Sequence, residues 1–173
     1  MRKKIIEKFV EYKVEPGPIE AFPLTHTGKL LIVREQGKEW GKIEVDNKLL
    51  RQRADHHLVV TSLWSKPPYD AHISAFSRDE VLKLPKSFDK EYNGREFEFK
   101  LSDSVRIVDP DGWDEVYECA FEPVECRLLQ QLRMQLGLTP LMYGKHELHL
   151  TLGIRYEKDR EGENGRDKKK RRG

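Results

Sequence analysis

The sequence predicts an α+β fold built on antiparallel strands. Three observations lead there. Short alternating apolar runs recur along the chain. Helical stretches interrupt them at uneven intervals, without the repeating strand–helix–strand pattern of a parallel sheet. The length of 173 residues suits one domain, or two small lobes that share a core.

The elements follow in order. KLLIVRE (29–35) and GKIEVD (41–46) read as strands. NKLLRQRADHH (47–57) reads as a short helix or turn. HHLVVTSL (56–63) is rich in β-branched residues and reads as a strand, with His56 and His57 at its start. HISAF (72–76) is a second short strand, and SRDEVLKL (77–84) a short helix with Ser77 as its N-cap before an acidic first turn. REFEFKL (95–101) alternates, placing Phe97, Phe99 and Leu101 on one face. SVRIVD (104–109) and VYECAF (116–121) are two more strands, and DPDG (109–112) marks a tight turn between them. EPVECRLLQQLRMQLGL (122–138) is the clearest helix. Pro123 suits its first turn, Val124, Leu128, Leu129, Leu132 and Leu136 make an apolar stripe, and Gly137 ends it. HELHLTLGI (146–154) returns as a strand.

Composition narrows the class. Charged residues make up 36% and apolar residues 37%, as in a soluble domain with a solvated surface. No apolar run approaches the roughly 18 residues of a membrane span. The N-terminus starts with basic residues like a signal peptide, but Glu7, Lys8 and Glu11 fall where an apolar stretch belongs, so export is not expected. Cys119 and Cys126 fit neither a disulfide framework nor a zinc pattern, and read as reduced thiols in a cytoplasmic protein. Residues 157–173 carry eight Lys/Arg against five Asp/Glu and almost no apolar side chains, so a disordered charged tail is expected after a domain of residues 1–156. The domain itself then carries 24 basic and 25 acidic residues, which argues against a uniformly basic nucleic-acid binder.

The chemistry lies in a repeated pattern. His72-Ile73-Ser74 and His149-Leu150-Thr151 each put a hydroxyl residue two positions after a histidine, inside an apolar run. Ser and Thr number only 12, so the repetition carries information. On a strand, residues two apart share a face. His72 then projects with Ser74, and His149 with Thr151, opposite an apolar face. If the two strands lie side by side, two imidazoles and two hydroxyls line one cleft. Such a set suits phosphoryl chemistry without a metal. A neutral histidine takes a proton from the attacking oxygen, and a protonated one supplies the leaving oxygen. The hydroxyls donate to the non-bridging oxygens.

The paired motifs, with 77 residues between His72 and His149, resemble those of the two-histidine (2H) phosphoesterase superfamily, the LigT-like proteins. The flanks DAHISAF and LHLTLGI are similar to that family's apolar-His-apolar-hydroxyl-apolar pattern. The resemblance covers roughly residues 58–156. It implies a bilobal fold, two antiparallel sheets with pseudo-twofold symmetry around a central cleft and helices outside. It also implies a phosphoric diester hydrolase acting without metal or other cofactor. The substrates implied are RNA 2′,3′-cyclic phosphate ends, 2′-5′ or 3′-5′ linked oligonucleotides, or cyclic (di)nucleotides. The expected catalytic pair is His72 and His149, with Ser74 and Thr151 on the phosphate, in a monomer with no membrane partner.

Other residues are weighed against bland readings. Tyr69 and Tyr143 precede the motifs and would either stack on a base or serve as strand-edge aromatics. Trp64 and Lys66, and Lys145 in the second approach, are further candidates for substrate contact; surface lysines are common. His146 reads as structural or solvent-facing. Two alternatives remain open. A metal hydrolase could use His56 or His57 with His72, His146 and His149, but no standard ligand spacing is present. A non-catalytic RNA or nucleotide-binding module could use the same cleft.

Overall fold

Alternation and capping account for most of the elements. The computed structural model describes residues 24–58, 64–110 and 112–158. Among them are seven strands: β1 (Thr25–Val33), β2 (Trp40–Glu44), β3 (His72–Phe76), β4 (Glu96–Leu101), β5 (Arg106–Val108), β6 (Val116–Glu125) and β7 (His149–Tyr156). Four helices join them: α1 (Asn47–Leu58), α2 (Arg78–Lys83), α3 (Lys86–Tyr92) and α4 (Arg127–Gln135). The N-terminal region and the basic tail lie outside the described residues. No described helix is long and apolar enough to cross a membrane.

The fold is α+β with one seven-stranded antiparallel sheet in the order β4-β1-β2-β3-β7-β6-β5. β4 also pairs with β6, through Lys100↔Glu125 and Leu101↔Val124. Six strands therefore close a ring of pairings, and β5 lies outside it on β6. Ring closure hides strand edges that would otherwise present unpaired backbone. The core gathers Leu30, Ile32, Ile43, Ile73, Phe76, Phe97, Phe99, Leu101, Leu129 and Leu150, all buried.

Three expectations need correction. Residues 56–58 are not the start of a strand; they form the last turn of α1, and 59–63 lie outside the described residues. The β-branched run begins only after this turn. Within the helix, Arg53 and His57 stand one turn apart and bond each other at 2.9 Å. Pro123 does not open a helix. It lies inside β6, opposite His149, and α4 begins at Arg127. Proline is tolerated there because its carbonyl is what the structure uses, accepting from Ser102 N at 3.0 Å. Val124 therefore reaches the core from a strand, and Leu128 is 56% exposed, whereas Leu129 and Leu132 are buried as expected. Helix α3 was not foreseen. It has no side-chain cap, and is held instead by buried Phe88 and by Arg34, which grips Asp89 at 2.6 and 2.8 Å.

Ser77 caps α2 as expected and forms a capping box with Glu80. Gly137 closes α4 at φ +75°, a left-handed turn that disfavours a side chain. Cys119 and Cys126 are buried and unbridged.

Two buried arginines tie these elements together. Arg133, on α4, is fully buried. It donates to Thr139 O at 2.8 Å, Ala75 O at 2.6 Å and Glu80 Oε1 at 2.8 Å. One side chain thus links the end of β3, the start of α2 and the loop leading to β7. Arg53, on α1, meets Glu122 of β6 side-on at 2.6 and 2.9 Å, and Asp103 at 2.7 Å. Asp103 sits at a left-handed φ of 57°. Its backbone N–H donates to Glu122 and its carboxylate accepts from Arg53, which offsets the unfavourable turn.

Burial would raise the Glu122 carboxyl, but the nearby His57 and the hydrogen bonds and charge of Arg53 outweigh it and hold the group below its ordinary range. Glu80 is held low in the same way by Arg133 and the Ser77 backbone, against the opposing pull of burial. Both carboxyls titrate lower folded than unfolded. Their contribution is therefore complete above the ordinary carboxylate range and is lost as pH falls through the depressed folded values.

Removing one partner from a buried pair leaves the other uncompensated. Arg133→Met is expected to cost about 3–5 kcal/mol, read as a lower urea midpoint. Glu122→Gln is expected to reduce stability at neutral pH and to flatten the acid-unfolding curve, because its carboxylate no longer takes up a proton on unfolding. A midpoint for Arg133→Met equal to wild type would remove Arg133 from its assigned role.

Candidate functional site

The seam between β3 and β7 brings the two motifs together. Ile73 and Leu150 are register partners in an antiparallel pair. Continuing that register sets His72 across from Thr151, and Ser74 across from His149. Ile73 and Leu150 are fully buried, while the two histidines and two hydroxyl residues are half-buried on the opposite face. The alternation of both strands thus turns these four residues to one face of the sheet.

Both motifs have matching local frames. On its outer side, β3 pairs with β2, so that Ser74 meets Lys42 and His72 meets Glu44. β7 pairs with β6, so that Thr151 meets Phe121 and His149 meets Pro123. Each motif strand then slips register directly after its hydroxyl residue. Gly41 pairs with Phe76 and Ala120 with Gly153, leaving Ala75 and Leu152 as the extra residues of two bulges. A bulge re-aims the chain locally. The Ala75 carbonyl is the one that Arg133 satisfies.

The imidazoles are also held alike. His72 Nδ1 lies 2.8 Å from Asp70 O, and His149 Nδ1 lies 2.8 Å from Glu147 O. A carbonyl oxygen only accepts, so each Nδ1 is the donor. Each neutral ring therefore keeps its lone pair on Nε2. Burial lowers the pKa of both rings, outweighing the carbonyl bonds that favour protonation. For His72 the charges of Lys42 and His149 add to the lowering; for His149 that of His146 does.

Aromatic rings enclose the pair. Trp40 and Tyr69 lie 5.1 and 5.0 Å from the His72 ring, and Phe121 lies 4.6 Å from that of His149. Burial pushes the Tyr69 phenol up, against a hydrogen bond with Thr151. Burial likewise pushes the Cys119 thiol up to about 11, again against a bond with Thr151. Thr151 thus has Tyr69 and Cys119 as polar neighbours.

The remaining sequence candidates are placed elsewhere. Trp64 carries Arg155 over its ring at 4.5 Å and sits against Gly153, beyond the motif. Lys66 and Lys145 are exposed on the two approaches. Tyr143 is 68% exposed and meets the His146 ring edge-on at 6.1 Å. His146 is exposed, as expected. Lys42, Trp40, Phe121 and Cys119 were missed. Their strands were recognised, but only the pairing of β2 and β6 with the motif strands reveals what they face.

One group among the described residues has metal-ligand chemistry. His56, His57 and Asp103 offer atoms within 4.8 Å of one another. The Arg53 guanidinium already fills that space, with Nη2 2.7 Å from Asp103 and 2.9 Å from His57 Nε2. A divalent ion would have to displace a buried cation, so the set does not fit a metal.

In an NMR titration, His72 and His149 should both show the Nδ1–H tautomer when neutral, and both should titrate below about 6.5, the ordinary value for imidazole. A ring titrating above that value would contradict the burial described.

The chain matches no protein-family model, no curated protein and no solved structure.

Proposed function

We propose that this chain is a metal-independent phosphodiesterase of the two-histidine kind, a LigT-like member of the 2H phosphoesterase superfamily. The observation that carries the reading is the β3–β7 seam, which sets two equally held imidazoles and two hydroxyls around one pair of buried residues. On this reading the matching frames are the two halves of a pseudo-twofold, bilobal site. One half is built from β2 and β3, the other from β6 and β7, each extending into its own part of the sheet. Both motifs come from one chain, which supports a monomer. The unbridged thiols support a cytoplasmic setting.

The chemistry follows from the ring tautomers. The neutral imidazole accepts a proton at Nε2 from the attacking oxygen as that oxygen bonds to phosphorus. The other imidazole, protonated, gives its Nε2 proton to the departing oxygen as the ester bond breaks. Ser74 and Thr151 donate to the non-bridging oxygens, where charge accumulates. The substrates proposed are RNA 2′,3′-cyclic phosphate ends, 2′-5′ or 3′-5′ linked oligonucleotides, and cyclic (di)nucleotides. On this reading Tyr69, whose ring lies 5.0 Å from that of His72, would touch such a substrate.

The test is turnover of these substrates in EDTA. His72→Ala and His149→Ala are each expected to lower kcat/KM by about 10² or more with unchanged folding. Because both rings have lowered pKa values, the bell-shaped profile is expected to centre below about pH 6.5. Turnover that survives His72→Ala, or that requires added metal, would overturn the proposal. Binding of the same ligands without turnover would instead identify a nucleotide-binding module.

A further inference from the structure

The two matching frames differ in charge: Glu44 stands beside His72 where Pro123 stands beside His149, and Lys42 adds a cation to one half alone. Where the His149 half has Phe121 beside its hydroxyl, the His72 half has Lys42 beside Ser74. We infer that Lys42 is the anion-holding cation of the cleft, binding a phosphoryl oxygen together with Ser74, and that it makes an otherwise twofold site directional. This rests on the reading of the cleft as a phosphodiester site and names the residue that orients the substrate within it.

Geometry supports the assignment. Register partners project from the same face of a sheet, so Lys42 stands on the face that carries His72 and Ser74. Its side chain is only 20% exposed, which is low for lysine. Among the described residues, the carboxylate paired with it is Glu44, at 3.5 Å, longer than a hydrogen bond and itself 53% exposed. A lysine ammonium weakly engaged by a carboxylate and next to a hydroxyl is the arrangement that an incoming phosphate completes. The groups facing His72 are Lys42 and Glu44 from β2, Tyr69 and Asp70 from its own approach, and His149 from β7. Of these, Lys42 carries the fixed positive charge.

Directionality has a chemical consequence. As the attacking oxygen bonds to phosphorus, the non-bridging oxygen next to Lys42 and Ser74 bears more of the negative charge than the one next to Thr151. On the other side the donor is Thr151, with the apolar Phe121 beside it. The Lys42 charge also acts on His72 rather than on His149, so the two histidines take fixed, different roles.

The experiment follows the His72 and His149 rings by NMR in the full chain while inorganic phosphate is added, for wild type, Lys42→Met, Lys42→Arg and Glu44→Gln. Lys42→Met should weaken phosphate about tenfold or more, Lys42→Arg should retain most of the affinity, and Glu44→Gln should strengthen it. Without phosphate, Lys42→Met should raise the His72 titration and leave that of His149 nearly in place. With substrate, only one limb of the pH–rate profile should move upward. Movement of the acid limb makes His72 the base, and movement of the alkaline limb makes it the acid. Unchanged phosphate affinity and unchanged His72 titration in folded Lys42→Met would overturn the inference, even if His72→Ala abolishes turnover. The expected affinity losses with no turnover in wild type would keep the anion site and discard the diesterase.

Discussion

The pairing of β3 with β7 is the constraint on which the site depends. It rests on one register pair, Ile73 and Leu150, both fully buried. Burial of that pair fixes which face each strand turns to the cleft. A slip of either strand by one residue would send its imidazole into the core and its apolar side chain to the opposite face. Arg133 secures the same seam from outside, because it grips the end of β3 and the loop that delivers β7. A single buried guanidinium thus fixes the relative position of two strands that are 77 residues apart between their histidines.

Charge is handled differently in the two halves of the molecule. Away from the cleft, Arg53 and Arg133 are buried and surrounded by acceptors, so their positive charge is spent on holding the fold. At the β3–β7 seam, the two imidazoles are half-buried and only lightly engaged. Each imidazole has one backbone bond and aromatic neighbours. Such groups are costly to keep ionised, and so are ready to exchange protons near neutral pH.

The sequence made the motifs legible because alternation along a strand is a local property. His72, Ser74, His149 and Thr151 could be assigned to one side of their strands without knowing the neighbours. The capping box at Ser77 and the glycine at the end of α4 were legible for the same reason. Lys42 and Phe121 were not, since their roles come from register with strands distant in the chain. The β-branched run after His57 pointed to a strand, yet the histidines belong to α1, where a cluster formed with Glu122 and Asp103 decides the conformation. Pro123 pointed to a helix start, but the sheet uses its carbonyl. In each of these cases a long-range contact outweighed a local preference.

The two bulges give the motif strands an uncommon independence. Before Ala75 and Leu152, side-chain direction is set by burial of Ile73 and Leu150; after them, it is set by other contacts, with Phe76 packed on Gly41 and Gly153 lying under Leu58 and Trp64. An extra residue resets the phase of a strand. Each strand is therefore two short segments with separate loyalties, joined at one irregular residue. The outer segments and everything packed on them can change to suit the fold, while the His-x-Ser and His-x-Thr segments keep their own facing, so the chemistry and the scaffold are free to vary apart.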